Sequence, residues 1–170
     1  MNKPIKMLLL FVAFAMLIIV NVYFYISEKA KQLPDVEFTL LNGKIQTLDE
    51  LKGSTILLNF WATTCAPCRK EISDLVDLYQ EFSAKGVQLI GIAMSHDRPD
   101  HVIAFQQHYK IPYPIAIDID STVANSFNVD VIPVTLLISP RGQIEYRHRG
   151  VINIDDMRKR ITAMLPAERR

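Results

Sequence analysis

The pattern of apolar and polar positions divides the chain in two. Residues 7–26 are apolar without a break except at Asn21, a run that as a helix would span roughly 30 Å, about the hydrocarbon thickness of a bilayer. Beyond residue 33 the runs shorten and the period changes from one segment to the next. Residues 36–41 and 44–47 flank the turn Asn42-Gly43 and predict a β-hairpin. Residues 49–52, closed by Gly53, predict a helical turn. Two mostly apolar runs, 55–61 and 87–93, predict strands buried on both faces. Between them Ile72, Leu75, Val76, Tyr79 and Phe82 recur at steps of three and four, which predicts one helix over 66–84 closed by Gly86. Val102, Phe105 and Tyr109 mark another helix over 100–109, with Pro99 suited to its start. A short strand at 115–117 and a short helix at 122–127 follow. Strands at 134–139 and 143–149 meet at the turn Pro140-Arg141-Gly142, and Met157, Ile161 and Leu165 form the inner stripe of a last helix over 154–165. Strands alternating with helices, then a hairpin and a final helix, predict an α/β domain with a mixed central sheet and helices on both faces.

Charge decides how to read the first segment. Lys3 and Lys6 are the only charges before Ser27, which leaves the rest of the chain at a formal −1. A cleaved signal peptide starts the same way, but its apolar region is shorter, about 7–15 residues, and ends at a small-residue cleavage site. The stretch around Tyr23-Phe24-Tyr25-Ile26-Ser27 offers no such site, and Tyr23 and Tyr25 suit a membrane interface. The expected organisation is therefore an anchor over 1–27, a linker over 28–34 and one globular domain over 35–170. The two lysines hold the N-terminus in the cytoplasm and place the domain on the other side of the membrane. The chain, at 170 residues, is too short for two comfortable cores. No basic stripe points to nucleic acid.

Two cysteines, Cys65 and Cys68, make up the whole thiol inventory. A bridge across two residues closes too small a loop to constrain the unfolded chain much, so the pair is poorly explained as a staple. It sits where a buried strand gives way to a helix, in Trp61-Ala62-Thr63-Thr64-Cys65-Ala66-Pro67-Cys68-Arg69-Lys70-Glu71. The free N–H groups and positive end of a helix favour a thiolate at Cys65. Cys68, one turn on, can attack a mixed disulfide formed by Cys65 and release the product. Pro67 falls in the first turn, where its missing N–H costs nothing. A zinc site would need a second cysteine pair, and the sequence has none. His96, His101, His108 and His148 read individually as solvated polar residues, although a cysteine pair with a distal His148 could also hold copper. No cofactor and no resident metal are expected.

The segment around the cysteines, the later Val131-Ile132-Pro133-Val134-Thr135-Leu136-Leu137-Ile138-Ser139-Pro140-Arg141-Gly142 and the N-terminal apolar run together resemble the TlpA/ResA/DsbE-like thioredoxins. These are membrane-tethered thiol–disulfide proteins of bacteria, and the resemblance covers about 34–165. It implies a thioredoxin fold with an N-terminal hairpin extension and a central helix–strand insert, here 100–117. It implies that Cys65 is the nucleophile and Cys68 the resolving thiol, and that the two form the redox disulfide. Pro133 matches the family's cis-proline, with Ile132 offering backbone groups to a substrate strand and Trp61 contributing to the substrate site. Thr64, Ser73 and Val134 depart from the family's usual tryptophan, proline and threonine. Asn59 stands where cytoplasmic thioredoxin has a buried aspartate, so another acid must move the proton of Cys68. Asp97 falls where several members carry a glutamate near the cysteines and is the first candidate; Glu71 is the next. The opening Pro34-Asp35-Val36-Glu37-Phe38-Thr39-Leu40 resembles a peroxiredoxin's, but Trp61 and Ala62 replace the proline and threonine that a peroxidatic cysteine needs.

The expected function is that of a dithiol reductant at the bacterial inner membrane, with its catalytic domain in the periplasm or otherwise outside the cytoplasm. It would take electrons from a membrane thiol donor and pass them to cysteine pairs of exported proteins. The resemblance suggests apocytochrome c or a copper-site cysteine pair as targets. The rivals are an oxidant or isomerase of the same fold and a non-enzymatic copper carrier.

Overall fold

A computed structural model describes residues 3–29 and 33–166. The chain divides into two compact units, residues 1–32 and 33–170. In the first, the apolar run forms the helix α1 (Lys3–Lys29), which extends two residues into the expected linker; residues 30–32 lie outside the described residues. The side chains of Leu8, Leu9 and several others in α1 are likewise not described. Among the described residues no helix counts as long and apolar enough to cross a membrane.

The second unit is built on a five-stranded sheet in the order β5-β4-β3-β6-β7. Its strands are β3 (Thr55–Trp61), β4 (Val87–Ala93), β5 (Ile115–Ile117), β6 (Val134–Ile138) and β7 (Ile144–Arg149). The pairs β3–β4 and β4–β5 are parallel, while β3–β6 and β6–β7 are antiparallel. The sheet is therefore mixed, as the order of elements predicts. The hairpin β1 (Glu37–Thr39) and β2 (Ile45–Thr47) pairs separately.

The period of two in the central strands sorts the core into two layers. Leu57, Trp61, Leu89, Ala93 and Leu137 face α3 (Ile72–Phe82), α4 (Pro99–Tyr109) and α6 (Ile154–Met164), which add Leu75, Leu78, Phe82, Val102, Met157 and Ile161. Ile56, Leu58, Phe60, Ile90, Ile92 and Leu136 face the hairpin and α5 (Thr122–Ser126). Burial on both sides explains why these strands read as nearly continuous apolar runs. Buried Asp118 starts α5 by accepting from Val123 N at 3.0 Å and Ala124 N at 2.7 Å.

One expectation needs correction. The helix over 66–84 is two: α2 (Ala66–Lys70) and α3, joined at Glu71, with a 3-10 turn over Ser83–Lys85 before Gly86. Glu71 is the turn residue between the two helices (φ −92°, ψ −2°), and its side chain bonds to the distant Asn59 and Ile152. Apolar periodicity cannot register that break, because the buried stripe continues across it.

Candidate active site

The cysteines sit just past the C-terminal end of β3, where the parallel strands open toward the ligand-binding edge common to α/β sheets. Cys65 is the N-cap of α2, and its Sγ accepts from Cys68 N at 3.2 Å, which occupies one of the donors left free at a helix start. The two are joined in a disulfide. Their exposures differ sharply: Cys65 is partly exposed, while Cys68 is fully buried beside Trp61, Ile72 and Leu75. An attacking thiol from another molecule therefore meets Cys65.

Pro133 follows a cis peptide bond from Ile132. The register Phe60↔Val134 continues to set Pro133 opposite Trp61, at the strand end from which the cysteine loop departs. Ile132 and Cys65 both pack against the core cluster that holds Trp61 and Cys68. Sequence and structure thus bring Cys65, Cys68, Ile132 and Pro133 to one end of the sheet.

Trp61 is placed differently from expectation. Its ring is fully buried, tilted at 44° against Phe105 with centroids 5.1 Å apart, and so does not offer a surface to a substrate. It supports the cysteine loop from beneath. Gly91 makes room for it: a Cβ there would stand 3.0 Å from Trp61 Nε1 and 3.3 Å from the Tyr113 ring.

The two candidate acids are held in unlike ways. Asp97 is nearly buried after β4, and its carboxylate accepts from Thr63 N and, at 2.7 Å, from Thr63 Oγ1. It braces the loop two residues before Cys65. Glu71 is fully buried one helical turn after Cys68. It accepts from Asn59 Nδ2 at 2.8 Å through Oε1 and from Ile152 N at 3.1 Å through Oε2. Asn59 Nδ2 also donates to Thr135 Oγ1 at 3.1 Å. Burial raises the Glu71 carboxyl above the ordinary carboxylate range, partly offset by the two hydrogen bonds and by His148. Burial likewise pushes the Tyr113 phenol up, with the Glu71 charge adding to it. Asn59 Oδ1, Trp61 Nε1 and Tyr113 Oη are buried without a protein hydrogen-bond partner among the described residues. Among the described residues no group of three or more His, Cys, Asp or Glu side chains is arranged to hold a metal ion.

The AhpC/TSA family pattern matches residues 30–147. Thiol-disulfide oxidoreductase ResA of Bacillus thuringiensis subsp. konkukian is 33% identical over 132 residues, 75% of each chain. The chain belongs to the AhpC/TSA family, in its TlpA/ResA/DsbE-like group. The ResA of Bacillus subtilis is 34% identical over 103 residues, 61% of this chain and 57% of that one. A thioredoxin-family thiol:disulfide interchange protein from Chlorobium tepidum superposes with a TM-score of 0.73 at 25% identity, covering 80% of this chain and 97% of the other. With its thioredoxin-like fold and the Cys65–Cys68 pair, this ResA-like chain is a thiol–disulfide oxidoreductase. Asn59, which donates to the buried glutamate, and Thr135, which accepts from Asn59, were not singled out by sequence as one polar site. The available signal was a polar residue inside each of two otherwise apolar strands.

Proposed function

We propose that the protein reduces disulfides in exported proteins, tethered by residues 7–26 to the bacterial inner membrane with its domain outside the cytoplasm. The observation that carries this reading is a partly exposed Cys65 over a buried Cys68, with buried Glu71 one turn further on. The thiolate of Cys65 attacks a substrate disulfide, forming one mixed disulfide and releasing one substrate thiolate. Cys68 then gives its proton to Glu71 and attacks Cys65 Sγ. The mixed bond breaks, the second substrate thiolate leaves, and the pair closes as the Cys65–Cys68 disulfide. The substrate gains two electrons, and a membrane dithiol donor returns them to the protein. Pro133 and the backbone of Ile132 border the substrate strand.

Three features support the reading. The chain is similar to proteins named thiol-disulfide oxidoreductase. Ala-Pro between the cysteines resembles thioredoxin's intervening pair. Both ring nitrogens of His148 are engaged, by Val151 O and Tyr146 Oη, which disfavours its use as a copper ligand.

Trapping the thiol state in cells by rapid alkylation tests the direction of electron flow. A reductant is mostly dithiol, with a potential nearer thioredoxin's about −270 mV than the about −120 mV of a strong oxidant. A pair found mostly oxidised with a potential near the second value makes the protein an oxidant instead. In the full chain, Cys68→Ala accumulates mixed disulfides through Cys65; trapping through Cys68 in Cys65→Ala reverses the roles.

A further inference from the structure

We propose that His148 is a positioning residue for the redox site: from the edge of β7 it acts on the buried Glu71 carboxylate through the single peptide group joining Val151 to Ile152. The proposal takes Glu71 as the buried acid of the site.

The geometry is a chain of two hydrogen bonds through one amide. His148 Nε2 lies 2.9 Å from Val151 O, an atom that only accepts, so Nε2 carries a hydrogen. The N–H of that same peptide, on Ile152, donates to Glu71 Oε2 at 3.1 Å. The peptide is planar, and bonds in series through it polarise one another in a low-dielectric interior. The other ring nitrogen, Nδ1, faces Tyr146 Oη at 3.3 Å. A phenol donates to a neutral ring and accepts from a charged one, so the ring can take a second proton while keeping its bond to Val151. A positive charge then stands at one end of the chain and a carboxylate at the other.

The sheet reinforces the link. Asn59 pairs in register with Thr135, and Thr135 with His148, so the three lie in one row across β3, β6 and β7. Asn59 joins that row to Glu71. The groups acting on Glu71 are Asn59 from the sheet, the Ile152 N–H, Asp74 from α3 and His148, and the Glu71 charge in turn acts on Tyr113 from the loop before β5; Cys68 lies one turn before Glu71 on α2. Around His148 stand Tyr146, with Arg160 of α6 3.8 Å over its ring, and the chain neighbours Arg147 and Arg149, which alternate to the other face. Of these types, imidazole is the one whose charge ordinarily changes near neutral pH. A charged ring favours an ionised Glu71, the form able to accept the proton of Cys68.

The test is a pH titration of the full-length protein in detergent, with glutamate carboxyls labelled with carbon-13 and the Glu71 resonance assigned by its loss in Glu71→Gln. In the wild type the resonance moves in two steps, because two coupled groups share the titration. In His148→Phe one of the two steps is gone and the midpoint rises. His148→Gln keeps a donor for Val151 O, so its midpoint rises less, but the second step is lost there too. A Glu71 curve in His148→Gln identical to wild type overturns the proposal, and His148→Gln alone decides if His148→Phe does not fold. The readout needs no turnover. A Glu71→Gln variant with wild-type exchange rates would remove the proton-carrying role and leave this coupling to be judged separately.

Discussion

Cys68 has no contact with solvent, so it must lose its proton to the protein, and the neighbouring carboxylates divide that work by how they are held. Each accepts one bond on each oxygen, Glu71 from the core groups Asn59 and Ile152 and Asp97 from Thr63 alone, and burial raises the Glu71 carboxyl, the direction that suits a proton carrier. General-base steps contribute about 10²–10⁴-fold. Glu71→Gln should therefore slow release of a mixed disulfide by about 10² or more and alter its pH profile, measured by stopped-flow with a model disulfide. Asp97→Asn should keep the profile and cost about 1 kcal/mol of stability, because the charge-assisted bonds to half-buried Thr63 become neutral ones; a collapsed release rate in Asp97→Asn would return the proton to Asp97. Glu71 also links stability to pH. Its folded-state pKa is raised above the ordinary 4.5, so the folded chain binds its proton more tightly than the unfolded one. The stability it adds is fully present below the unfolded value and is lost as pH rises through the folded value. Denaturant melts should show that fall in the wild type and a flatter curve in Glu71→Gln.

At the scale of elements, Glu71 stands at the junction of α2 and α3, three residues after Cys68, where it bonds to Asn59 and Ile152. The strand β4 contributes by an absence. Gly91 leaves the space that the Trp61 and Tyr113 rings fill, and both rings are buried. Gly91→Ala should therefore overpack this layer and cost about 1–3 kcal/mol, read as a lower denaturation midpoint with an unchanged slope. A midpoint equal to wild type would mean that the rings can shift. Because Trp61 underlies the cysteine loop, the same variant should also change the rate at which Cys65 is alkylated.

At the scale of the molecule, both core layers, the disulfide and every bond to Glu71 belong to residues 33–170. The apolar run belongs to the other unit, and its length and flanking lysines set the expected topology. An alkaline phosphatase fused after Arg170 should be active, a fluorescent reporter that matures only in the cytoplasm should be dark, and the chain should stay full-length in membranes. A soluble form cut near residue 30 would instead mean a cleaved signal.

Local pattern alone determined much of this protein. Strand and helix periods are written in neighbouring residues, so the order of elements, the mixed sheet and the hairpin were legible. The cysteine pair and its strand-to-helix setting were legible for the same reason. Only the tertiary structure decided what depends on residues far apart in sequence. It buried Trp61, which sequence reasoning placed toward the substrate, and broke the helix at Glu71. It set Asp97 on Thr63 and Glu71 between Asn59 and Ile152, contacts that span from 12 to 81 positions. A carboxylate's role follows from its solvation and its donors, and those are supplied by strands and loops that meet only once the sheet has formed.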